Sequence, residues 1–172
     1  KISEEDFYTR NASFIIFPFL TAYFIWRRNI PLKKIVFPAI AILISVVFIN
    51  FFPREEKSDT LILSCIHLPL FLWAVLGFSF VGGDFRDYHR RIDFLKYNGD
   101  LAILSALLVI SGGLLTAITF GLFTIIDLDI REFYVEYIVV FGLSAVPIVA
   151  TFITQTNSQL VNKISPLIAK LF

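Results

Sequence analysis

The chain has 172 residues, 57% of them hydrophobic and 17% charged, with 20 Phe, one Cys, no Met and a formal charge of +1. A soluble domain carries about a quarter of its residues charged, so this composition excludes an ordinary water-soluble globule. The lone Cys65 excludes an intrachain disulfide, and the lack of a basic, aromatic-interleaved patch excludes a nucleic-acid partner.

The opening KISEEDFYTR is mixed in charge and does not read as a signal peptide. With no Met even at position 1, the chain is expected to continue a longer protein. Behind this opening come five apolar runs. A helix of about 20 apolar residues matches the roughly 30 Å hydrocarbon core of a bilayer. The first run, 12–26, is short and interrupted by Pro18, and it recruits Phe7 and Tyr8 to reach full depth. The others are 35–52, 61–83, 101–126 and 135–153. None alternates with the period of a barrel strand, and backbone groups in lipid must be satisfied within their own segment, so each is predicted to be helical. The fold class is therefore all-α, a polytopic transmembrane bundle of five spans, with the tail beyond 153 beginning a sixth.

Within the third run, His67 lies six residues from the start, about 9 Å deep at helical rise. An ionisable group at such depth points to function, as a proton or cation relay. The structural alternative is a neutral imidazole bonded to a neighbouring hydroxyl or to a carbonyl that Pro69 deprives of its helical partner, that of Cys65. Cys65 and His67 fall short of a metal site, since tetrahedral zinc takes three or four ligands. No nucleophile-elbow, phosphate-loop or metalloprotease pattern occurs, so no catalytic residue, metal or cofactor is assigned.

Between the third and fourth runs, the charged stretch 84–97 reads as an amphipathic helix lying in the membrane interface. Asp84 and Asp87 suit a helix start. Phe85, Tyr88, Ile92 and Leu95 make one apolar face, and Asp87 can pair with Arg90 or Arg91 on the other. Arg86, Arg90 and Arg91 are expected at anionic lipid headgroups on the cytoplasmic face. Asn98-Gly99 reads as a stop, with Asp100 capping the fourth span. The competing reading makes Asp84, Asp87 and His89 ligands or acid–base groups.

In the fourth run Gly113, Ala117 and Gly121 recur at every fourth position, a stripe that lets another helix approach closely. The partner helix belongs either to the same chain, where the fifth run offers Gly142 and Ala145 beside Pro147, or to a second copy. The next loop gathers Asp127, Asp129, Glu132 and Glu136 around Arg131. It is either a solvated connector or the mouth of a cation path lined by His67 and Glu136.

Lys and Arg set the threading. The loops holding Arg27, Arg28, Lys33 and Lys34 and holding Arg86, Arg90, Arg91 and Lys96, with Lys163 and Lys170 in the tail, carry ten; the other side carries five, Lys1, Arg10, Arg54, Lys57 and Arg131. The start is thus expected outside and the end in the cytoplasm.

The run YHRRIDFLKYNGDLAILSALLVISGGLLTAITFGLFTIIDLDI and the closing NKISPLIAKLF resemble the central part of domain-of-unknown-function family 4153, polytopic proteins of the bacterial inner membrane. The features that carry the resemblance are an aromatic and Asn-Gly before a long span, a span ending in IIDLDI, and SPLIAKLF leading into further spans. The resemblance implies an inner-membrane location and a continuing sixth span, and it transfers no catalytic residue. Two functions stay open: a membrane scaffold or sensor module of a larger protein, and a permease-like carrier of a small solute or ion. An intramembrane enzyme comes third. A carrier is expected to show internal repeats with paired broken helices, and the two halves share no convincing repeat.

Overall fold

The computed structural model describes residues 4–52, 59–84 and 86–156. Among them every regular element is helical, in five helices: α1 Glu4–Arg27, α2 Leu32–Phe51, α3 Asp59–Phe80, α4 Tyr88–Ile125 and α5 Arg131–Thr156, the last π-helical over Tyr134–Val139. Helices α2 to α5 are each long and apolar enough to cross a membrane. The all-α reading holds. α1 falls short of the other four because its apolar run, 12–26, is only about 22 Å long at helical rise, and the helical residues before it include the charged Glu4, Glu5, Asp6 and Arg10. Arg54, Lys57, Lys163, Lys170 and the tail expected to begin a sixth span lie outside the described residues.

Three of the four inter-helix stops share one geometry. After the last turns of α1, α3 and α4, Asn29, Gly82 and Asp127 take positive φ of 48°, 78° and 54°. The amides that follow, of Ile30, Gly83 and Leu128, then reach back to the carbonyls of Ile25, Phe78 and Phe123 at 3.2, 3.0 and 3.1 Å. This left-handed closure satisfies carbonyls that a helix end otherwise leaves open. Asn98-Gly99 makes no such stop. α4 runs through it without a break, so the amphipathic stretch is no separate helix: its described part from Tyr88 onward forms the first turns of α4, while Phe85 is outside the described residues. Asp100, expected as a cap, sits inside the helix. The cap is Asp87, whose Oδ1 accepts from the amides of His89 and Arg90 at 3.0 and 3.3 Å.

The chain divides into two compact units, Lys1–Phe94 and Leu95–Phe172. In the first, α3 packs against both α1 and α2, around a core of Ile49, Leu68 and Leu72 flanked by Phe14, Phe17 and Ile42. Asn11 and Asn50 exchange amide hydrogen bonds at 3.3 and 3.0 Å across α1 and α2. Near the end of α3 the rings of Phe24 and Phe80 lie 4.9 Å apart and those of Phe80 and Phe94 5.3 Å apart. Gly77 makes room for this cluster, since a Cβ there would lie 3.0 Å from the Phe94 ring. In the second unit, Leu104 and Ala150 form the contact between α4 and α5, with Leu101, Leu108 and Ile153 around them. The buried Tyr97 hydroxyl meets Thr151 Oγ1 at 2.7 Å.

Candidate functional site

His67 lies on α3 eight residues after Asp59, about 12 Å along the helix, and it is exposed. Its Nδ1 is 2.8 Å from the carbonyl oxygen of Leu63. The Cys65 carbonyl, freed by Pro69, is not its partner. A helical side chain leans toward the N-terminus of its own helix, so the ring meets the carbonyl four residues back. A carbonyl only accepts, so Nδ1 carries the proton.

The ring lines a groove of about 300 Å³ together with Ser45, Phe48, Ser64 and Phe71, among others. Both hydroxyls are spent in the same way as Nδ1: Ser64 Oγ donates to Thr60 O and Ser45 Oγ to Ala41 O, each at 2.8 Å. Glu136, the other residue expected on a cation path, sits in the π-helical turn of the second unit and is exposed, whereas His67 belongs to the first. No three His, Cys, Asp or Glu side chains gather into a metal-holding group among the described residues.

The charged turn between α3 and α4 is tied together from within. Asp84 Oδ1 accepts from the Arg86 amide at 3.0 Å, so Asp84 and Asp87 both serve the local backbone. Arg90 clasps the turn: its Nε lies 3.1 Å from Asp87 Oδ2 and its Nη1 donates to the Val81 carbonyl at 2.9 Å. All three arginines expected at headgroups are exposed, and Arg91 lies over the Tyr88 ring at 5.8 Å. The α1–α2 loop comes to this same end of the unit. Arg28 sits over the Phe80 ring at 5.1 Å, and a Cβ on Gly83 would lie 2.8 Å from Lys34 Cδ. Burial, and then the nearby guanidinium groups of Arg90 and Arg27, lower the Arg28 pKa, with Asp93 opposing.

The small-residue stripe of α4 is open. No heavy atom lies within 4 Å of a Cβ built on Gly113 or Gly121, and Ala117 is exposed. Gly113 does line a groove of about 500 Å³ in the second unit with Gly112, Thr116, Ile138 and Gly142, among others. Among the described residues, then, the stripe packs against no other helix of the chain.

Two features escaped sequence reasoning. Arg10, counted as an outer-loop charge, is 8% exposed and donates to the carbonyls of Ile49 and Phe52 at 3.3 and 3.1 Å, at the end of α2. The second is Thr21, whose buried hydroxyl has no hydrogen-bond partner among the described residues. Neither carries a sequence signal beyond a polar residue next to or inside an apolar run. Comparison of the chain with family models, with curated proteins and with solved structures gave no match.

Proposed function

We propose that the chain is a multispan module of the bacterial inner membrane, a scaffold or sensor part of a larger protein that packs against further transmembrane helices. One observation carries this reading. In α4 only 6% of the most apolar window is buried, and Ile110, Leu114, Ile118 and Leu122 stand exposed beside the open Gly113, Ala117 and Gly121 stripe. A face that is apolar and also small enough for close backbone approach suits lipid along part of its width and a partner helix along the rest. The bacterial inner membrane as location, with the end of the chain in the cytoplasm, follows from the family resemblance and from the Lys and Arg division.

The carrier reading keeps one specific observation in its favour. α5 contains a π-helical turn beside a groove, and π turns occur frequently at functional sites. Flux separates the two readings. The full-length protein, reconstituted in vesicles loaded with pH-sensitive and potassium-sensitive dyes and with a panel of radiolabelled small solutes, is expected to give no protein-dependent flux. Saturable uptake of one solute would establish the carrier instead.

A further inference from the structure

We infer that the α1–α2 loop and the α3–α4 turn together bind a phosphate group, through the side chains of Arg28, Lys34 and Arg90. All three belong to the first unit, so the site stands on that unit's own geometry; a lipid headgroup as the source of the phosphate rests on the proposed membrane placement. Gly82 and Gly83 shape the site. Both take positive φ, and a Cβ on Gly82 would lie 2.7 Å from Arg90 Nη1, while one on Gly83 would lie 2.8 Å from Lys34 Cδ. Two bare glycines thus let a guanidinium and a lysine stem close on adjacent residues of one turn. Arg28 is held at the same end by the Phe80 ring, whose centre lies 5.1 Å from its guanidinium carbon.

Charge accounting identifies the ligand class. Residues 27–34 and 84–93 hold seven Lys and Arg against three Asp, and two of those carboxylates are already engaged, Asp84 with the Arg86 amide and Asp87 with two amides and Arg90 Nε. The side chains of Arg28 and Lys34 have no hydrogen bond or ion pair among the described residues. Arg28 is repelled by the neighbouring Arg90 and Arg27, with Asp93 opposing. Stacking holds Arg28, and Asp87 with the Val81 carbonyl holds Arg90, so these cations are kept against their repulsion and a multivalent anion is the matching occupant. Guanidinium forks take two oxygens of a phosphate at once, and a tetrahedral anion has oxygens left for a lysine. A bilayer supplies this chemistry at a helix end, as the phosphate of an anionic headgroup. The other source is a soluble phosphate.

Phenylglyoxal modification of arginines, resolved residue by residue by peptide mass spectrometry, tests this on delipidated full-length protein in maltoside micelles. One arm adds phosphatidylglycerol, a second inorganic phosphate and a third succinate, a dianion without phosphate. Modification of Arg28 is expected to slow saturably with a phosphate source, several-fold more than that of Arg86 and Arg91, which are exposed references on the same molecule, and to slow less with succinate. Lys34→Gln is expected to weaken this protection, and Lys33→Gln, the same loss of charge, to leave it. Protection by the lipid where inorganic phosphate gives none assigns a headgroup; protection by inorganic phosphate assigns a site that soluble phosphates also fill. Equal protection of all three arginines, protection by succinate that matches a phosphate source, no protection in any arm, or equal effects of the two glutamine variants would overturn the inference and leave the membrane reading intact. A protein that stays in solution once detergent is removed would instead remove the membrane reading and the lipid source, and the inorganic phosphate arm would then decide the site.

Discussion

Removing the Arg10 guanidinium takes the donor from the carbonyls of Ile49 and Phe52 at the end of α2, the first bond buried and the second partly buried. Replacing Arg10 by Met keeps the length and apolar body of the side chain and deletes the donors. The expected loss is about 1–3 kcal/mol, the penalty for an unsatisfied buried polar group, read from unfolding of the purified chain in mixed micelles. A neutral result would mean that water reaches these carbonyls. Position 10 reads as a loop charge because proximity to a helix C-terminus is a tertiary fact, created when α1 folds back on α2. The bond made by His67 was more nearly legible. Side-chain direction in a helix already favours the carbonyl four residues back, and attention to the carbonyl freed by Pro69 pointed two residues too far along.

At the level of the helices, the glycine that packs is Gly77, and the stripe on α4 stays open. Gly77→Leu is expected to push the Phe94 ring away and to cost about 1–3 kcal/mol, as overpacking does. In the same isolated chain Ala117→Leu is expected to change stability by less than about 0.5 kcal/mol, as exposed substitutions do. The same micelle unfolding assay ranks the two, and equal losses would place a helix against the stripe. Gly99 gives a sharper case. Sequence chemistry marks Asn98-Gly99 as a stop, yet Tyr97 on one side and Leu101 and Leu104 on the other face α5 contacts that hold the helix continuous. With nothing within 4 Å of its position, Gly99→Ala is expected to stabilise the chain by about 0.4–1 kcal/mol; destabilisation would show that the backbone there is not helical. Hydropathy made the helices readable because length and apolarity are local properties. The Asn29 and Asp127 stops also lie just past apolar runs and Gly82 at the end of one, but composition alone does not separate them from Asn98-Gly99. What separates them is whether the residues beyond find a partner that rewards continuing.

For the molecule as a whole, the α1–α2 and α3–α4 turns meet at one end of the first unit, as the side assignment from Lys and Arg requires of them. Single cysteines introduced in a Cys65→Ala background test the full threading with an impermeant thiol reagent. Positions 34 and 91 are expected to label from the cytoplasmic side only and position 129 from the outside only; the reverse pattern would invert the orientation. The α4 stripe belongs to this scale too, since among the described residues nothing lies within 4 Å of a Cβ on Gly113 or Gly121.

A π-helical turn holds one residue more than the α-helical turn it replaces. The stretch Tyr134–Val139 therefore carries slack that the other helices lack. In α3, deleting any single residue rotates everything beyond it by about 100°, turning Leu72, Val75 and Leu76 off the core and bringing exposed residues onto it. In the π turn, deletion of Ile138 lets the helix close to regular α geometry, and the residues on either side keep their facing. A deletion scan read by the yield of folded, membrane-extracted protein is expected to show tolerance confined to 134–139 within α5 and none across 68–80. Within the described helices, Tyr134–Val139 is where the length of a helix is expected to change by a single codon without changing which way the helix faces.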